Sequence, residues 1–71
     1  MRLDERDAEI ILALAHNNMN VSDTARDMFM HRNSICYHIT KVKRVTGLDP
    51  MNFYDLHKLV KDAKKNWGNT K

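Results

Sequence analysis

A chain of 71 residues with a formal net charge of +3 can hold one small core, near the size at which burial offsets chain entropy without staples, and leaves no room for a large catalytic cleft. Cys36 is the only cysteine, so an intrachain disulfide framework is excluded and a reducing, cytoplasmic setting is the default expectation. The sequence shows no secretory leader and no apolar run of membrane-spanning length, so no membrane partner is expected.

The distribution of charge is more informative than its sum. Residues 1–29 carry three Arg against six Asp and Glu, residues 30–50 four Lys and Arg against one Asp, and residues 51–71 five Lys against two Asp. The chain is acidic in front and basic behind, which suggests an anionic partner for the basic part.

In chain order, Asp4 with Asp7 three residues on reads as the capped start of a first helix, since acidic groups suit its positive end. Ala8, Ile11, Leu12 and Ala15 recur at helical spacing, Ile10 and Leu14 widen that side, and Asn17-Asn18-Met19-Asn20 ends the pattern, which predicts a helix over about residues 5–17. Ser22 is expected to cap a short second helix with Val21, Ala25, Met28 and Phe29 on its buried edge. Only Phe29-Met30-His31 then precedes the third helix, and two helices joined by about three residues form a helix-turn-helix signature.

The third helix is expected over about residues 32–46. Ile35, Ile39, Val42 and Thr46 stack along one stripe, while Asn33, Ser34, Tyr37, Lys41 and Arg44 are placed on the other side. This stretch contains no acidic residue, which sets it apart from an ordinary solvated helix face. Gly47 can take the left-handed conformation after a helix end, and Asp49-Pro50 prevents continuation. Asn52 is expected to cap a fourth helix with Phe53, Leu56, Val60, Ala63 and Trp67 on one stripe, supported by Leu59, and Lys58, Lys61, Lys64 and Lys65 on the other side. The expected architecture is all-α, a compact four-helix domain over residues 1–67 containing a helix-turn-helix, with 68–71 as a flexible tail.

Arg32 and Asn33 fall in the first turn of the third helix, the part that approaches base edges when such a helix enters the major groove. Arg suits guanine O6 and N7, and Asn suits adenine N6 and N7. Ser34, Tyr37, Lys41 and Arg44 along that helix, with Ser22 and Thr24 at the start of the second, are the residue types that contact phosphate. His31 is expected to cap the third helix or touch phosphate. The four histidines His16, His31, His38 and His57, tested with Cys36 as a metal set, fail on spacing, since Cys36 and His38 point about 200° apart around a helix and no second pair lies at finger spacing. No metal or other cofactor and no small-molecule site is expected, and with no nucleophile–base pair or phosphate loop an enzyme is not expected.

From Asn20-Val-Ser-Asp-Thr-Ala through His31-Arg-Asn-Ser-Ile-Cys-Tyr-His-Ile to Thr46-Gly-Leu-Asp, the sequence resembles the C-terminal helix-turn-helix of the PucR and sugar-diacid regulators, whose pattern runs approximately NVSxTAR, HRNTLxYRL and TGLD. More distantly, the helix pair resembles that of Fis. The resemblance implies DNA binding in bacterial transcription regulation, by a module that family members usually carry at the end of a longer chain. Cys36 and His38 stand where the family commonly has Arg, which removes fixed charge from the third helix. His38 is expected near phosphate.

The expected function is therefore sequence-specific binding of double-stranded DNA by a small bacterial transcriptional regulator, with the third helix in the major groove. A homodimer on a two-half-site operator would supply the affinity that one module lacks. The rivals are a Fis-like architectural protein that bends DNA, and a helix-turn-helix scaffold that binds protein through Phe53, Tyr54 and Trp67.

Overall fold

The order of polar caps and apolar stripes builds four helices, α1 (Glu5–His16), α2 (Val21–Met28), α3 (Arg32–Thr46) and α4 (Phe53–Ala63). The computed structural model describes residues 3–64, and among them there is no strand. Trp67, Lys65 and the expected tail lie outside the described residues.

At the start of α1, the Asp4 side chain accepts from the Asp7 backbone N–H at 2.9 Å, and the Asp7 carboxylate accepts from the Asp4 N–H at 3.4 Å. This reciprocal capping satisfies two donors that a helix start otherwise leaves open. The helix buries Ala8, Ile10, Ile11 and Leu14 together with Asp7. Ala15, expected on the apolar stripe, is exposed and Leu12 half-buried, so the stripe runs through Ile10 and Leu14 instead.

The cap of α2 is Asn20, whose side chain accepts from the Asp23 N–H at 2.9 Å. Ser22 therefore lies one position inside the helix, exposed, and the capping role expected of it belongs to Asn20. The reason is local: Asn18 and Met19 both take positive φ, 56° and 65°, which turns the chain tightly enough for the helix to start at Val21. Phe29 departs from expectation more sharply. It is 96% exposed rather than part of the buried edge, because it terminates α2 in the left-handed region at φ 55°. The N–H of Met30 then reaches back to the Ala25 carbonyl at 2.9 Å.

His31 caps α3, its Nδ1 accepting from the Asn33 N–H at 3.3 Å. Gly47 ends the helix at φ 76°, a conformation that L side chains adopt at a steric penalty. Thr46 donates to the Val42 carbonyl at 2.8 Å and accepts from the Leu48 N–H at 3.0 Å, closing the turn that leads to buried Pro50. Asn52 caps α4 by accepting from the N–H groups of Tyr54 and Asp55.

The first helix is the hub, since α2, α3 and α4 all pack against it and α2 packs on α3. Ile10, Ile11 and Leu14 meet Ala25, Ile35, Val42, Leu56, Leu59 and Ala63 in one core. Removing each such Ile or Leu from water is worth about 1.5–3 kcal/mol. Ala25 is small and 6% exposed. Phe53, expected on the core stripe of α4, is 66% exposed: as the first residue of α4 it leaves the burial to Leu56, Leu59 and Ala63.

Candidate nucleic-acid interface

The outward surface of α3 follows from its buried side. Ile35 and Val42 are inaccessible, and Ile39 and Thr46 are half-buried beside them. Arg32, Asn33, Cys36, Tyr37, Thr40, Lys43 and Arg44 are exposed. Neither Arg32 nor Arg44 makes an ion pair among the described residues, and α3 contains no acidic residue. Both guanidiniums are thus available to an external anion. Tyr37, 61% exposed, sets its ring edge-on to His38 with centroids 5.3 Å apart, which steers the phenol to the outer side of the helix.

Two residues expected on this surface face inward instead. Nδ1 of His38 lies 2.7 Å from Oδ1 of Asp7, and because a carboxylate only accepts, the imidazole proton belongs on Nδ1. Lys41 places Nζ 3.1 Å from Asp4 and 3.0 Å from Asp7. Hydrogen bonds from Lys41 to Asp7 and then to Asp4 hold its pKa above the usual lysine value. The Asp4 carboxyl is held below its usual range, first by the Asp7 backbone N–H and next by the Lys41 side chain. The physical reason is that Asp7 is fully buried: a buried carboxylate is tolerated only when paired, and the nearest donors are those two side chains on α3.

Thr24 also leaves the surface. It is inaccessible, and its hydroxyl donates to the Asn20 carbonyl at 2.8 Å, which locks the first turn of α2. Ser22 is exposed on that same turn and Ser34 half-buried at the edge of α3. His31 is exposed, but its Nδ1 is occupied by capping, leaving Nε2 as its outward group.

Sequence reasoning missed Thr40 and Lys43. Thr40 follows Asn33 by two helical turns, falls beside it on the helical wheel on the side away from Tyr37, and could have been read from it. Lys43 has a side chain 63% exposed, 3.9 Å from Asp49, a distance at which a surface ion pair holds a lysine only loosely.

Elsewhere, α1 and α4 enclose an apolar groove of about 250 Å³ lined by Ala15, Asn18, Met19, Phe53, Leu56, His57 and Val60. Among the described residues no group of three or more His, Cys, Asp or Glu side chains could hold a metal ion, and no helix is long and apolar enough to cross a membrane. The geometry is that of a short bundle offering one acid-free, cationic helix.

No curated protein and no solved structure gives a significant match to the chain. The family model of the PucR C-terminal helix-turn-helix domain matches residues 8–60, from the first apolar turn of α1 into α4, and so includes the whole α2–turn–α3 unit. A domain of this type suggests a DNA-binding regulator. With more than half of its length matched and all four helices in order, the chain belongs to the family of PucR C-terminal helix-turn-helix domains.

Proposed function

We propose that the protein binds double-stranded DNA sequence-specifically as a small bacterial transcriptional regulator, with α3 in the major groove and α2 braced across the backbone. The observation that carries this reading is the pair of exposed guanidiniums of Arg32 and Arg44, unpaired among the described residues, on a helix without a single acidic group. Arg32 and Asn33, in the first turn, read base edges. Ser22, His31, Ser34, Tyr37, Lys43 and Arg44 reach phosphates and set register without reading sequence. His38 and Lys41 support the helix from behind rather than touching the duplex. Two copies on a two-fold site, with half-site centres about 34–36 Å apart, give the affinity that a single module lacks. The working place of such a protein is the cytoplasm, on the nucleoid when bound.

The test is selection of bound fragments from random duplex DNA, followed by Arg32→Ala. Enrichment of a two-fold motif is expected, and the variant should lose about 1–3 kcal/mol on the best site and relax preference at one base pair. Enrichment of bent DNA without a motif would favour an architectural role. Absence of salt-sensitive binding would leave a protein-adaptor role through the exposed Phe53 and Tyr54.

A further inference from the structure

Phe29 stands out because the free protein gains nothing from it. Its φ of 55° lies in the left-handed region, where an L residue with a bulky side chain is a genuine outlier. Glycine or asparagine is the ordinary occupant of such a helix-ending position. The residue is 96% exposed, so the strain is not offset by burial, and its backbone N–H serves the turn in a way any residue other than proline could. A large apolar ring is therefore held, strained and solvated, on the turn between α2 and α3, next but one to the His31 cap and three residues ahead of Arg32. Strain without local return points to function at the place where it sits.

We propose that Phe29 is a DNA-contacting residue that lays its ring against apolar surface of the duplex beside the bases approached by Arg32 and Asn33. This rests on the DNA-binding reading above. The turn is the hinge of the helix-turn-helix, so docking α3 by its first turn brings that hinge to the wall of the groove. Two apolar surfaces are offered there: the C5-methyl group of thymine and the face of a deoxyribose. Burial against either removes the ring from water, a gain that exists only in the complex.

The contact has a signature that a structural role lacks, since stability and binding should move in opposite directions. Phe29→Gly and Phe29→Asn both relieve the left-handed strain, so each should raise the thermal midpoint, while each weakens DNA binding. The measurement is affinity of the wild type and both variants for one selected duplex and for copies in which each thymine in turn is replaced by uracil. A methyl contact predicts that one replacement weakens the wild type about fourfold, the equivalent of one buried methyl group, and leaves both variants unaffected. A deoxyribose contact predicts no uracil-sensitive position and the same loss of affinity for every variant duplex. If the variants bind as tightly as the wild type, or if binding and thermal midpoint fall together, the proposal is overturned while the DNA-binding reading stands. If the wild type shows no salt-dependent binding to any duplex, both fall.

Discussion

Nδ1 of His38 lies 2.7 Å from Oδ1 of Asp7, and this bond ties the middle of α3 to the one buried carboxylate in the first turn of α1. Lys41 adds a second link one helical turn later, reaching Asp7 and Asp4 together. The carboxylate of Asp7 is fully buried yet has partners on both oxygens: His38 on Oδ1, and Lys41 with the Asp4 N–H on Oδ2. The orientation of α3 is thereby fixed from behind, and its front is left to Arg32, Asn33 and Arg44.

Asp7→Ala should destabilise the fold by about 3 kcal/mol, the usual consequence of breaking a buried charged network on one side. His38 and Lys41 would lose their buried acceptor, and a cavity would open under α3. Urea unfolding followed by far-ultraviolet circular dichroism measures it. A loss below about 1 kcal/mol would mean that the α1–α3 network is not a main support of the fold.

The Asp4–Lys41 link also sets a pH window. Asp4 is held below its ordinary pKa of 3.8, so its contribution is complete above that value and is lost as pH falls through the depressed folded value. Lys41 is held above its ordinary 10.5, so its contribution is complete below 10.5 and is lost as pH rises through the raised folded value. Stability from this link should accordingly be flat across neutral pH. In a thermal series from pH 8 to strongly alkaline conditions, the gap between wild type and Lys41→Met should close at the alkaline end. A gap that already closes near pH 8 would contradict the assignment.

Much of the fold was legible because its punctuation is local. Asp4, Asn52, Gly47 and the apolar spacing of α3 each act within a single turn, and the helix-turn-helix motif spans consecutive residues. What escaped depends on distance in sequence. That Lys41 and His38 face inward is decided by Asp7, more than thirty residues away in the chain, and a helical wheel cannot tell a solvated cation from one turned onto another helix. Thr24 and Phe29 failed for a different reason: a polar residue was read as surface and an aromatic as core, whereas the backbone of the two turns decides both.

The two candidate caps of α2 can be separated directly. Asn20→Ala should cost about 1 kcal/mol, because the Asp23 N–H loses its acceptor, while Ser22→Ala should stay within about 0.5 kcal/mol. Equal losses for the two would place Ser22 in the capping role after all. Since Ser22 is free of that duty, its substitution should show instead in DNA affinity.

The division between the front and the back of α3 predicts which charges DNA feels. Each phosphate neutralised by a protein cation contributes about 0.9 to the slope of log affinity against log salt. Arg44 is exposed and has no ion pair among the described residues, so Arg44→Ala should flatten the slope by about that amount. Lys41→Ala should leave the slope nearly unchanged, since its ammonium is already held by Asp4 and Asp7 and releases no counterion from the duplex. The same logic separates the two positions where the family commonly has Arg. Cys36 is exposed on the outer side, so Cys36→Arg should add a phosphate contact and steepen the slope by about 0.9. His38→Arg should not, because the new guanidinium would take over the pairing with Asp7 behind the helix. A salt series on the four variants and the wild type, all on one duplex, checks the set. If His38→Arg steepens the slope as much as Cys36→Arg does, or Lys41→Ala flattens it as much as Arg44→Ala does, the back of α3 must open toward the duplex on binding, and the α1–α3 network would be broken in the complex.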